Sequence, residues 1–165
     1  MRNKKFVAVH RNGELSPENH RRLMNWAIAC SEHVLLLVKD QSIDSRLTGA
    51  LYIAKEWEIG NVKTGSAMKA ARDVHAFARD IENPVMKAIA RSIGQAVSTA
   101  HMADHSVGAA LYALKAVSLA GKPVDDERNW QDEKMKDFPH EITDLLKKTR
   151  LQKLLAFKEL RSTFL

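Results

Sequence analysis

A chain of 165 residues, 45% hydrophobic and 28% charged, can bury a full core as one domain, and its composition excludes disordered and collagen-like classes. Its longest apolar stretch, Val34 to Val38, is too short to cross a bilayer. Its single Cys30 cannot make an intrachain disulfide, so a reducing, cytoplasmic setting is expected. The net charge of +6 sits at the ends: residues 1–15 carry four Lys/Arg against one acid and residues 140–165 six against three, while 16–139 carry sixteen of each.

Lys5 to His10 alternates roughly and runs into Arg11-Asn12-Gly13, which predicts a short extended arm and a turn. No long apolar run follows the N-terminal charges, so no signal peptide is expected. Ser16-Pro17-Glu18 starts a helix: serine caps free amides, proline suits the first position and glutamate favours the positive end. That helix is predicted to reach about Lys39, with Leu23, Trp26, Ala27, Cys30, Val34 and Leu37 as its apolar stripe and His33 on the same side. Asp44 caps a second helix to about Ile59, stopped by Gly60. Thr64 or Ser66 opens a third, through Ala67, Ala71, Val74, His75 and Ala78 to Arg79. Asn83-Pro84 repeats the cap-then-proline signal for a fourth.

From Pro84 to Ala120 nothing stops a helix, yet one straight helix there would be about 55 Å long, against roughly 40 Å for a domain of this size. A joint near His101 to Ser106 is therefore predicted. Gly121-Lys122-Pro123 ends the second of the two helices. Residues 121–138 read as a polar loop with a short helix around Glu127 to Lys134, and a last helix runs from Pro139 to about Leu160. In it Ile142, Leu145, Leu146 and Thr149 share one face, while Leu151, Leu154 and Leu155 lie opposite. Either the helix breaks near Thr149 or it packs on two surfaces, one of which would suit a second copy of the chain. The expected fold is an all-α, single-domain bundle of about six to seven helices with a short extended N-terminal arm. Residues 15–120 form its core and 139–165 its C-terminal helix.

The chemistry gathers between Gln95 and Ser106. His101 and His105 are one turn apart if the helix is continuous, and Asp104 adjoins them. That spacing suits chelation of a divalent metal, with His75, His33 or Glu32 supplying further ligands from other helices. The duplicated Glu-x-x-His and the His-Glu-x-x-His patterns are both missing. The competing reading is a buried structural network in which His33, His75, Arg79, His101, Asp104 and His105 satisfy one another and specify one packing. A third makes Asp104 the cap of a new helix after the joint. The network is the preferred reading, with no cofactor. Cys30 has His33 three residues on but lies on an apolar stripe, where thiols are inert. Ser98 and Ser106 flank the histidines without a nucleophile turn. Trp26, Trp57 and Trp130 read as packing. The basic ends could attract nucleic acid weakly, but no binding motif supports it as a partner.

The run His20-x2-Leu23-x2-Trp26-Ala27-x2-Cys30-x-Glu32-His33-Val34-Leu35 resembles the opening of a bacterial family of immunity proteins of polymorphic toxin systems, the fifth-type immunity group. The resemblance continues through Asp44-x-Arg46, Trp57-x2-Gly60, Ala71-x3-His75-x3-Arg79 and Gly94-Gln95-Ala96-Val97. It is closest in Thr99-Ala-His-Met-Ala-Asp-His105 and Gly108-Ala-Ala-x-Tyr112-Ala-x-Lys115-Ala, and it covers about residues 15–120. The sequence departs at Leu47-Thr48, where a proline and a second arginine are expected, and at Gly60-Asn61-Val62, where Gly-Glu-Ile is expected. The leucine-rich C-terminal helix is this chain's own. The resemblance implies an all-helical cytoplasmic protein whose partner is a cognate protein toxin. A neutral-to-basic chain is the wrong sign to mimic nucleic acid, so an acidic or mixed-charge target is expected. The alternative is a metal-binding protein or enzyme that uses His75, His101, Asp104 and His105 in an interhelical cleft.

Overall fold

Helix starts follow the local capping chemistry. In the computed structural model, which describes residues 1–163, Ser16 Oγ accepts from the Asn19 amide (3.2 Å) and Pro17 opens α1 (Pro17–His33). Asp44 Oδ1 accepts from the Arg46 amide (2.9 Å) at the head of α2 (Ser45–Glu58), and Gly60, at φ +83°, takes the left-handed turn after it. In α3 (Thr64–Arg79) the predicted cap has other work: Thr64 Oγ1 accepts from Trp57 Nε1 (3.1 Å). Asn83 Oδ1 caps α4 (Pro84–Ser98) through the Met86 amide (3.0 Å). Then come α5 (His105–Leu119), α6 (Val124–Glu133) and α7 (His140–Leu154). The described chain is 73% helical with no strand, and among the described residues no helix is long and apolar enough to cross a membrane.

Helix α5 is the centre of the bundle. Val107, Ala109, Ala110, Leu111, Ala113, Leu114 and Ala116 are all buried along it. Helices α4, α1, α6 and α7 pack around it, and α2 and α3 lie against α4. Ala27, Ala96 and Ala109 meet where α1, α4 and α5 come together, so their small side chains let three backbones approach. A hydroxyl relay ties the same helices: Ser92 Oγ donates to the Ala109 carbonyl (2.8 Å) and accepts from Ser31 Oγ (2.8 Å).

The joint falls at residues 99–104, overlapping the predicted His101 to Ser106 but starting two residues earlier, with His105 and Ser106 already in α5. Ser98 Oγ donates back to the Gly94 carbonyl (2.8 Å) and Thr99 Oγ1 to the Gln95 carbonyl (3.2 Å). These bonds compete with the next helical turn, and the chain leaves α4 there.

Several boundaries differ from the sequence reading. Helix α1 stops at His33, and residues 34–38 wind as a tighter 3-10 turn that buries both Val34 and Val38. The N-terminal arm is no strand. It is two 3-10 turns, Lys4–Phe6 and Val9–Arg11, closed by a lone bridge between Ala8 and Leu15, with Phe6 and Leu15 in the core. Helix α7 passes Thr149 unbroken and ends at Leu154, short of Leu160. It buries Ile142, Leu145, Leu146, Arg150 and Leu154 and leaves Leu151 and Leu155 61% and 65% exposed. Its core stripe contains an arginine, which is why apolar periodicity alone suggested a break. Beyond it, a 3-10 turn (Lys158–Thr163) buries Leu160, and Phe157 meets Tyr112 of α5 edge-on at 5.0 Å. The final two residues assigned to the C-terminal helix, Phe164 and Leu165, lie outside the described residues.

Candidate functional site

The predicted polar residues separate into two places. At the α4–α5 joint, His105 Nδ1 donates to Gln95 Oε1 (2.6 Å), and the His101 and His105 ring centroids are 5.5 Å apart. His75 of α3 lies flat against Gly94: a Cβ there would come within 2.6 Å of its ring. Gly108 likewise leaves room for the Gln95 side chain. His75 Nδ1 also accepts a long contact from Arg91 Nη1 (3.5 Å). Arg79 is exposed and approaches His75 only electrostatically. Gly94 and Gly108 of the family-like blocks thus have a physical role, since each admits a polar side chain to a helix surface.

Asp104 stands at the cap position of α5 but does not cap it. Its backbone is already helical (φ −69°, ψ −13°), which turns the carboxylate away from the helix amides. Asp104 Oδ2 instead meets Lys153 Nζ of α7 (3.2 Å), which also donates to the Asp104 carbonyl (3.4 Å). The joint is therefore clipped to α7, an anchor that no local pattern announces.

His33 lies elsewhere. Its Nδ1 donates to Glu127 Oε2 (2.7 Å), and its ring stacks on Trp130 at 3.7 Å with planes 4° apart. Helix α6 is thus fastened to the end of α1. Burial raises the Glu127 carboxyl above its ordinary range, which the adjacent His33 partly offsets. Beside this pair, burial pushes the Cys30 thiol well up, with Glu127 adding to it, so Cys30 is held as an inert thiol. Gln131 of α6 is the hub of a further buried set. Its carbonyl accepts from Trp26 Nε1 (2.9 Å), its Nε2 donates to the Ala110 carbonyl (3.0 Å), and its Oε1 accepts from Arg150 Nη1 (3.0 Å). Arg150 Nη2 reaches Asp132 Oδ1 (2.5 Å). Gln131, Glu127 and Arg150 were missed from the sequence because they sit in charge-rich stretches that read as solvated. The available signal was that Glu127 and Gln131 are one turn apart beside Trp130.

Burial dominates the electrostatics of the joint. It pushes His105 down to about 4, with Asp104 opposing and His101, Lys153 and His75 reinforcing. His101 is lowered by burial and by Arg2 and Arg11, and His75 by burial and by Arg91 and Arg79. These rings are neutral in the fold at pH 7 but take protons more readily in the unfolded chain, near 6.5. Between about 4 and 6.5 the unfolded state binds more protons, so stability falls as pH falls through that window. Glu127, shifted upward, works in the opposite direction near its own range. Urea unfolding from pH 7 to 4.5 is expected to show a loss of about 2 kcal/mol from His105, allowing for its partial exposure. His105→Gln should flatten that slope. An unchanged slope would place the titration elsewhere.

His101 Nδ1 and Asp104 Oδ1 are buried with no hydrogen-bond partner, as is Glu127 Oε1. The first two are the polar atoms that a water or cation at the joint would meet, Asp104 Oδ1 as an acceptor. Among the described residues no three His, Cys, Asp or Glu side chains gather as a metal site would need.

The fold and its joints define a small all-helical protein in which His20, His33, His75, His101 and His105 are turned into interhelical seams. The chain belongs to the family described as Imm-5 like putative immunity protein, whose model matches residues 13–138. The match begins at Gly13, takes in all of α6, which the resemblance over 15–120 left out, and stops before α7. No curated protein and no solved structure matches the chain.

Proposed function

We propose that this protein neutralises a cognate toxin by binding it, and that His75, His101, Asp104 and His105 serve as a structural joint, with His33 doing the same work at α6 and Arg79 adding charge beside His75. The family match over residues 13–138 carries the immunity reading. Binding rather than chemistry is supported by how the side chains are used: His105 is committed to Gln95, Asp104 to Lys153 and His33 to Glu127. Action inside the bacterial cell that makes the toxin fits the single buried thiol.

Two experiments test this. Co-expression with a cognate toxin domain is expected to restore growth, and lack of rescue would overturn the neutralising role. For the joint, protein purified without a histidine tag should carry no stoichiometric zinc, iron or manganese. His101→Ala should then cost stability, not metal. The unpaired atoms at His101 and Asp104 are what favour the metal-binding alternative. Stoichiometric metal that disappears in His101→Ala or His105→Ala with the fold intact would establish it instead.

A further inference from the structure

A cleft of about 630 Å³ lies between the N-terminal arm, the first turn of α1 and the turn that joins α2 to α3. Trp57 is held rigidly in its lining. The indole Nε1 donates to Thr64 Oγ1 (3.1 Å), and the ring meets His20 at 4.8 Å between centroids. His20 is fixed in turn, because its Nε2 donates to the Thr99 carbonyl (2.6 Å) of the α4–α5 joint. Val9 on the arm and Ile59 on the turn line the same cleft and are 51% and 66% exposed. Two exposed apolar side chains beside a fixed tryptophan make an anchor pocket of the kind that dominates protein interfaces.

The charge at the cleft is positive on balance. Arg21 and Lys63 line it, and among the described residues neither has an ion pair or hydrogen bond from its side chain. Glu58, the acid in the lining, accepts from the Asn25 amide (3.0 Å), which orients its carboxylate but leaves its charge, so Arg21 and Lys63 outweigh it by one. The arm above carries the +3 of residues 1–15. Unpaired cations beside apolar walls complement a segment that carries both carboxylates and an apolar anchor.

We propose that this cleft receives an acidic segment of the toxin, with an aromatic or branched apolar side chain seated among Val9, Trp57 and Ile59 and its carboxylates on Arg21 and Lys63. This rests on the neutralising role and assigns it a surface.

The test uses the full chain, labelled with ¹⁵N and titrated with two capped pentapeptides, Asp-Glu-Trp-Glu-Asp and Lys-Lys-Trp-Lys-Lys. The acidic peptide is expected to shift the Val9, Ile59 and Lys63 amides and the Trp57 indole N–H, at least tenfold more tightly than the basic one. Arg21→Glu/Lys63→Glu should weaken it at least tenfold, and added salt should weaken it too. No shift at the cleft, or equal affinity for both peptides, overturns the proposal. In the co-expression assay Ile59→Asp and Arg21→Glu/Lys63→Glu should lose rescue while Leu151→Asp, on exposed α7, keeps it. Each variant should keep the wild-type circular dichroism. Full rescue by the cleft variants overturns the cleft and leaves neutralisation standing, whereas failure of the wild type overturns neutralisation itself. Sedimentation showing a dimer abolished by Ile59→Asp would assign the cleft to a second copy and likewise overturn the proposal.

Discussion

Replacing Arg150 with alanine is expected to cost about 3 kcal/mol of folding stability. The guanidinium is almost fully buried and holds Gln131 and Asp132 together, and Gln131 in turn engages α5 and α1. Removal leaves Gln131 Oε1 without its donor in the core and opens a cavity. Asp132 is partly exposed and keeps Lys147 at 3.6 Å, which holds the cost at the lower end for a broken buried pair. Against a total stability of about 5–15 kcal/mol, that is a large share. Arg150→Lys should fall between, because lysine keeps the charge but lacks the fork that meets two acceptors. Urea unfolding followed by tryptophan fluorescence checks both. A loss below about 1 kcal/mol for alanine would mean that α7 is held by its leucines alone.

The second large effect is at Gly13. A Cβ there would lie 1.8 Å from the Val7 carbonyl oxygen and 2.2 Å from its carbon, so backbone itself would have to move. The arm is closed by bonds from the Val9 amide to the Leu15 carbonyl (3.1 Å) and from the Leu15 amide to the Val7 carbonyl (2.9 Å). Gly13→Ala is expected to break that closure and free Phe6 and Leu15 from the core, at about 3 kcal/mol. Gly49→Ala is the matched control. It lies within α2 with nothing near its would-be Cβ, so it should stabilise by about 0.5–1 kcal/mol. Hydrogen exchange at the Val9 and Leu15 amides reads the arm separately from the bundle. Protected amides in Gly13→Ala would contradict the account. If the arm does open, the cleft it walls should lose its acidic-peptide binding as well.

What was legible in the sequence was what depends on near neighbours. Ser16-Pro17, Asp44 and Asn83-Pro84 start helices where they were placed, because a cap needs only the next few amides. The joint was legible from length alone. The arm misled because its alternation is satisfied by one bridge and two tight turns, with no partner strand. The polar partners could not be paired from sequence. Six candidate residues gave no hint that His33 would face Glu127 while His75 lay on Gly94, because that depends on how helix faces rotate against one another. Arg150 was unreadable for the same reason: a buried arginine is indistinguishable from a surface one until Gln131 and Asp132 are beside it. Small residues were the better guide, since Gly94 and Gly108 mark where His75 and Gln95 enter.

We propose that the protein disarms a cognate toxin by occupying it, without turnover. Titrating the purified toxin domain with this protein, and following residual toxin activity, tests that directly. Activity should fall in proportion to added protein and reach zero at one equivalent, with a 1:1 complex on size exclusion. Full protection far below one equivalent would show turnover and an enzyme, and undiminished toxin activity at excess protein would show no neutralisation at all.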